Sequence, residues 1–272
     1  MVWVLMNIIE RALEEDIKSG DITTNSIIPS KCRITARIVA KQSGILAGIP
    51  VAQRIFRSMS FVVLVQDGAA VQRGQVIAEI KGSTRFILSH GRTALNFLQH
   101  LSGIATLTKA FVDAAGDVKI LDTRKTVPGL RRLQKYAVRV GGGQNHRMGL
   151  FDMVLIKKEH VHIVGSITEA VRKARLIGKK IEVEVSNLID IQEAIRARPD
   201  IIMLDNMSII EMKKAVKVVD GRIPLEVSGN VTLGRLSLLR TLDVQYISVG
   251  ALTHSAPALD ISMEVQHECS NH

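Results

Sequence analysis

The chain has 272 residues, 46% of them hydrophobic, 23% charged and 3% aromatic, with a formal net charge of +10. Such a composition excludes a disordered polymer and leaves room for one large or two modest domains, each able to bury its own core. No uninterrupted apolar stretch reaches the ~18–20 residues of a membrane span, and six Phe, two Tyr and one Trp among dispersed basic residues do not make the stacking platforms of a nucleic-acid binder.

The basic surplus suits small polyanionic substrates instead. Cys32 and Cys269 lie far apart with no metal-ligand spacing, which fits a reducing compartment. The apolar segment 1–9 runs straight into Glu10, Glu14, Glu15 and Asp16 without a basic lead, unlike a signal peptide. A cytoplasmic protein that engages neither membrane nor nucleic acid is expected.

Residues 8–18 read as a short helix stopped by Ser19, Gly20 and Asp21. β-rich runs follow at 34–40, 45–47, 61–65 and 76–80, with turns at Gly44, Gly48, Asp67-Gly68 and Gly74 and a helix at 51–59. Together they predict an α+β module around an antiparallel sheet. The turns from Asp67 to Val76 resemble those of biotinyl or lipoyl carriers, but no Lys stands in a Met-Lys-Met hairpin, so a structural module is preferred. Between 89 and 115, Leu95, Leu98, Leu101, Ile104, Leu107 and Phe111 recur at helical spacing and predict a long bridging helix.

Short apolar strands then alternate with amphipathic stretches. The strands fall at 118–121, 153–156, 181–185, 201–204, 224–227 and 244–249; the helices fall at 166–177, 188–197, 208–219 and 232–242. That alternation implies a parallel sheet covered by helices. A first domain at 1–110, with the tail 262–272 assigned to it, and a second at 111–261 are expected.

A polar or glycine device ends almost every strand. Asp122-Thr123-Arg124-Lys125 follows the first and Lys157 the second. Glu182 and Glu184 share one face of the third, and Asp205-Asn206, Ser228-Gly229-Asn230 and Gly250 follow the others. In a (β/α) barrel these ends converge on one rim, whereas an open doubly wound sheet uses only a switch point. A TIM-like barrel is therefore expected, incomplete because six strands are counted rather than eight. Arg124, Lys125 and Lys157 can clamp carboxylates and phosphates. Glu184 and Asp205 suit ribose hydroxyls, or Mg²⁺ held jointly with a diphosphate. Ser228-Gly229 and Gly250 stand just before helices, where backbone N–H groups meet a terminal phosphate. Any one of these residues alone is more often in a structural ion pair; six devices at one rim outweigh that.

The run Gly141 to Arg147 is the second signal: three glycines permit close backbone approach, and Asn145, His146 and Arg147 form a polar cluster. His146 by itself is better read as a satisfied buried histidine. His160 and His162 alternate as on a strand or loop and are taken as structural, since zinc would need further ligands. Arg92 is read as opening the long helix, where a cation opposes the dipole unless an anion intervenes.

These residues resemble the quinolinate phosphoribosyltransferase family. The likeness rests on Thr123-Arg124-Lys125-Thr126 with Pro128-Gly129, the run 141–150, the strands ending at Lys157 and carrying Glu184, and Leu204-Asp205-Asn206. Segments 12–24, 92–108 and 250–260 extend it over nearly the whole chain. The resemblance implies an α/β fold: an N-terminal α/β sandwich and a C-terminal incomplete (β/α) barrel. It implies a homodimer or hexamer whose active sites are shared between subunits. It implies that Arg124 and Arg147 hold the quinolinate carboxylates, aided by Thr123 and His146, with Arg92 arriving from the neighbouring subunit. Lys125 and Lys157 would face the diphosphate. Glu184 and Asp205 would bind ribose hydroxyls and the Mg²⁺ carried with phosphoribosyl pyrophosphate, and Ser228, Gly229, Gly250 and His254 would surround the 5′-phosphate. Departures from the family's pattern stand at Gly91 (usually Glu), Lys158-Glu159 (commonly Asp-Asn), Val227 (usually Ala) and Asn230 (usually Gly); Asn tolerates left-handed backbone better than most residues. The rivals are a related enzyme of molybdenum-transport gene clusters with another acceptor, and a non-catalytic pyridine-nucleotide-binding module.

Overall fold

The computed structural model of the chain describes residues 2–266. In chain order its elements are α1 (Val2–Ile17), α2 (Ile22–Ile27), β1 (Arg33–Ala40), β2 (Gly44–Ile45), α3 (Ile49–Ile55), β3 (Ser60–Val63), β4 (Ala70–Val71), β5 (Val76–Ser83) and α4 (Thr84–Ala115). Next come β6 (Lys119–Leu121), α5 (Arg131–Val140), β7 (Val154–Ile156), α6 (Lys158–Val164), α7 (Ile167–Ala174), β8 (Ile181–Val185) and α8 (Leu188–Ala197). The chain closes with β9 (Ile201–Asp205), α9 (Ile209–Val219), β10 (Leu225–Ser228), α10 (Leu233–Leu239), β11 (Tyr246–Ser248), α11 (Ala251–His254) and β12 (Ile261–Val265). Two compact units form. One takes the residues through Leu107, Pro128–Gly141 and those from Ala256; the other takes Thr108–Val127 and Gly142–Ser255.

In the first unit an antiparallel sheet runs β12-β1-β5-β3. Alternation along β1 buries Ile34, Ala36 and Ile38, as period-two side-chain geometry requires. Asp67, read as a turn residue, reaches further than its turn: its carboxylate accepts from Gly48 N and Ile49 N at 2.8 and 2.9 Å and so caps α3. The same carboxylate accepts the Tyr136 hydroxyl at 2.7 Å. Burial first, then this bond, pushes the phenol well above its ordinary value. Pro128–Gly141, which carries Tyr136, belongs with the first unit, although the sequence reads all of 111–261 as one barrel domain. Cys32 is buried beside the Thr84 hydroxyl; Cys269 and most of the tail 262–272 lie outside the described residues.

In the second unit six parallel strands run in the order β6-β11-β10-β9-β8-β7. β6 and β7, consecutive in the chain, stand at opposite edges, so the barrel is open along that seam. Ile181, Val183, Ile202, Leu204, Leu225, Val227 and Ile247 are buried along these strands. The outer helices α7 to α10 start at Ser166, Asn187, Ser208 and Thr232, whose side chains accept from backbone N–H groups three residues on. Such caps satisfy donors that a helix start leaves open, and those of α8, α9 and α10 lie in the loops directly after β8, β9 and β10.

Three local expectations differ. His160 and His162 stand on α6, not on a strand, and His160 Nδ1 accepts the Lys157 N–H at 2.9 Å. Helix α4 begins at Thr84 rather than 89, because β5 passes into it without a loop and Ser83 Oγ accepts from Phe86 N. Arg92 therefore lies inside the helix, and an anion held between it and a helix end has no place. α2, α5 and α6 were not read as helices.

Candidate active site

The open seam is partly filled by the segment after the glycines. Gly142 has φ +90°, a left-handed value suited to glycine. Past it, Gln144 N donates to Ile120 O at 2.8 Å and Gln144 O accepts from Asp122 N at 3.1 Å, a single parallel bridge alongside β6. Asp122, fully buried, then binds the next two residues: Oδ2 accepts from Asn145 Nδ2 at 2.6 Å and Oδ1 from His146 N at 2.9 Å.

His146 turns its ring into the barrel. Nδ1 accepts the Arg147 N–H at 2.8 Å, so the ring hydrogen belongs on Nε2, an assignment made from the bonding pattern. Nε2 faces Glu182 Oε2 at 2.9 Å and Glu226 Oε2 at 3.6 Å. Both glutamates are fully buried. Ser248 Oγ donates to Glu226. Burial, then the adjacent Glu182, holds the Glu226 carboxyl well above the usual carboxylate range.

Arg147 follows directly, half-buried, its guanidinium donating to Met153 O at 3.4 Å. Its pKa is lowered, first by burial and next by the positive charge of Arg124, with Glu182 and Asp152 opposing. A guanidinium in partly desolvated surroundings is stabilised by an anion, and its fork matches a carboxylate bidentately. Asp152 accepts from Met148 N and Gly149 N at 2.6 and 3.1 Å and folds the loop that follows.

Across the strand ends, Lys157 Nζ lies 3.9 Å from Glu184 Oε2. Glu184 is raised in pKa, first by burial and next by the charge of Asp205. Asn206 Nδ2 donates to Asp205 Oδ2 at 2.9 Å, and Asn206 N donates to Ser228 O at 3.0 Å. Gly229 has φ +96°, and a Cβ there would meet Asn206 Oδ1 at 2.2 Å. Asn230, where the family usually has Gly, takes φ +51°, so the left-handed turn survives the departure. Thr123 Oγ1 accepts the Lys125 N–H at 3.0 Å. A side chain at Gly250 would meet His254 Nε2 at 3.1 Å and Lys125 Cδ at 3.3 Å, so glycine keeps open the space where these two converge. Arg92 belongs to the first unit and is exposed, lining a cleft with Leu95, Gln99, Ile261 and Met263.

The second unit thus gathers two groups: the Arg124–Arg147 pair, and Lys157 with Glu184 and Asp205. Sequence reasoning missed the layer beneath them. Glu226 carried one signal, a charge at the position two before Ser228 in an otherwise apolar strand. Asp122 was noticed only as a strand end, and Glu182 only as the neighbour of Glu184.

Residues 21–102 match the quinolinate phosphoribosyl transferase N-terminal domain and residues 104–264 its C-terminal domain. The chain is 44% identical to the probable nicotinate-nucleotide pyrophosphorylase [carboxylating] of Synechocystis sp., across 97% of this chain and 93% of that one. It is 43% identical to the Mycobacterium leprae nicotinate-nucleotide pyrophosphorylase [carboxylating], across 94% and 95%. The crystal structure of NadC from Streptococcus pyogenes superposes with a TM-score of 0.93 at 42% identity, covering 98% of this chain and 99% of that one.

Proposed function

The chain belongs to the quinolinate phosphoribosyl transferase family, and from that membership we propose that it transfers phosphoribosyl from phosphoribosyl pyrophosphate to quinolinate. The products are nicotinate mononucleotide, pyrophosphate and carbon dioxide, a step of NAD biosynthesis. The observation that carries the reading is the half-buried Arg147, a cation suited to a pyridine carboxylate, in the same unit as Lys157 and Glu184, whose side chains stand 3.9 Å apart at the strand ends.

The pyridine nitrogen bonds to ribose C1 as the bond from C1 to the pyrophosphate oxygen breaks. Arg124 and Arg147, with Thr123 beside them, hold the two carboxylates so that the nitrogen faces C1, and much of the rate gain is orientational. Lys125 and Lys157 stabilise the departing diphosphate by charge already in place. Glu184 and Asp205 accept from ribose hydroxyls; Ser228, Gly229, Gly250 and His254 surround the 5′-phosphate. Magnesium carried with phosphoribosyl pyrophosphate neutralises the leaving diphosphate when bound. Two carboxylates near enough for Asp205 to raise Glu184 are an oxygen donor set that fits it. The carboxylate next to the nitrogen leaves as carbon dioxide, and the ring carbon that bore it keeps the electron pair and takes a proton; no residue is assigned to that step.

Arg92 completes the acceptor pocket of a neighbouring subunit in a homodimer or hexamer; its exposure supports this. No described helix is long and apolar enough to cross a membrane, and a reaction between charged small molecules suits the cytoplasm. Purified protein should convert quinolinate and phosphoribosyl pyrophosphate one for one into nicotinate mononucleotide, only with Mg²⁺. No turnover of quinolinate, or turnover of another pyridine acid in its place, overturns the reading. Mixing Arg92→Ala chains with an Arg147→Ala variant should restore activity; no recovery after proven subunit exchange refutes the shared site.

A further inference from the structure

Two carboxyl groups lie fully buried in the second unit beneath Arg147, and the proposed chemistry uses neither. Burying carboxylates is costly unless they are paired or hydrogen-bonded, and the sheet has apolar alternatives: Met203, in register with both Glu226 and Glu184, is buried without charge. The polar layer occurs where it meets His146. We propose that Glu182 and Glu226 are positioning residues for the acceptor site: they hold the His146 ring, and through its other nitrogen the backbone at Arg147, so that the guanidinium is set before the acceptor arrives. This inference rests on the proposed reaction and deepens it.

The contacts form an unbroken series. The Ser248 hydroxyl donates to Glu226. Glu226 and Glu182 flank Nε2 of His146 at 3.6 and 2.9 Å. Nδ1 of the same ring accepts the Arg147 N–H at 2.8 Å, while Asp122 holds the preceding N–H at 2.9 Å. Arg147 is thereby attached on its N-terminal side to a buried polar core rather than to a free loop. Glu226 lies against Glu182 in this buried layer, and the upward displacement of its carboxyl, by burial first and then by Glu182, agrees with a proton held on Glu226. A second-layer partner that orients a histidine through one nitrogen while the other acts is a device familiar from metal sites; here the far nitrogen orients backbone.

The test compares Glu182→Leu with Glu182→Gln and Glu226→Gln. Leu removes the carboxyl group that faces Nε2 at 2.9 Å and keeps bulk. We expect the KM for quinolinate to rise about tenfold while the KM for phosphoribosyl pyrophosphate stays within twofold of wild type. Gln at 182 should restore most of the loss, and Gln at 226, which mimics the protonated acid, should be near wild type. A purely structural role would lower the active fraction, hence kcat, and leave both KM values alone. Unchanged quinolinate KM in Glu182→Leu, or equal rises in both KM values, overturns the inference while wild-type turnover leaves the reaction standing. Should Glu182→Leu not fold, nitrogen-15 NMR of histidine-labelled wild-type protein decides. The His146 signal, identified by its loss in His146→Gln, should show hydrogen on Nε2 alone. Hydrogen on Nδ1 overturns the inference. So does a stoichiometric metal in the purified protein, since His146, Glu182 and Glu226 offer ligand atoms within 4.8 Å of one another and would then be a metal site.

Discussion

Glu182 and Glu184 stand two residues apart on one face of β8 and meet different surroundings. Glu184, at the carboxyl end, keeps 14% of its side chain exposed with Lys157 at 3.9 Å and Asp205 near. Glu182, deeper, is sealed beside His146 at 2.9 Å. An acid at the rim is available to substrate and its charge is tuned by its neighbours; an acid below the rim is available only to protein, and what it can contribute is geometry. The same division separates Arg147 from His146 and Ser228 from Glu226.

Removing a rim group should damage binding and spare the fold. Arg147→Ala carries the largest expected effect: hydrogen bonds to charged groups are each worth about 1.5–3 kcal/mol, so the KM for quinolinate should rise roughly 10- to 100-fold with little change in melting temperature. Steady-state kinetics and thermal unfolding measure both, and an unaltered KM would break the comparison at its strongest point.

Gly229→Ala tests the rim backbone. Its φ of +96° and the 2.2 Å approach to Asn206 Oδ1 mean strain of order 1–3 kcal/mol, and the affinity for phosphoribosyl pyrophosphate should fall about tenfold with quinolinate binding kept. Calorimetric titration of each substrate separates the two.

Ser248→Ala sharpens the other side. It deprives Glu226 of a buried donor, and urea unfolding should show a loss of about 1–2 kcal/mol with both KM values near wild type. Loss of affinity without loss of stability would place Ser248 among the rim residues.

The smallest effect is in pH. Glu184 is raised above its ordinary 4.5 in the folded state, by burial and then by Asp205, so the fold binds more protons than the unfolded chain in the interval between the two values. Its stabilising contribution is full below 4.5 and is lost as pH rises through the folded value. Compared with Glu184→Gln by melting without Mg²⁺ or substrate, the wild type should lose relative stability across that interval. A parallel pH dependence of the two would mean that Glu184 is solvated like an ordinary surface acid.

Much of the rim was legible because a parallel strand announces its end: an apolar run stops, and Asp122, Lys157, Asp205 or Ser228 follows. The helices read at 166–177, 188–197, 208–219 and 232–242 were legible from their amphipathic pattern. Elsewhere local pattern misled. His160 and His162, at spacing two, imitate a strand, but a helix cap formed by His160 decides otherwise. Arg92 seemed to open a helix because nothing in 84–89 advertises that β5 passes into α4 without a loop. Asp67 looked like a turn residue and nothing more, since its partners Gly48, Ile49 and Tyr136 are far away in the chain.

Taken alone, the amino-acid order determined the alternation of strands and helices, the α/β class, and which charged residues end up at strand termini. These follow from periodicity and turn residues, which act over a few residues. Only the tertiary structure decided that Asp122, Glu182, Glu226 and Ser248 converge on His146, and that Arg124 comes within electrostatic reach of Arg147. Those meetings depend on the register and twist of neighbouring strands, and on an open seam into which a loop can fold. A carboxylate's burial and partners are set by residues tens of positions away, and no local pattern carries that information.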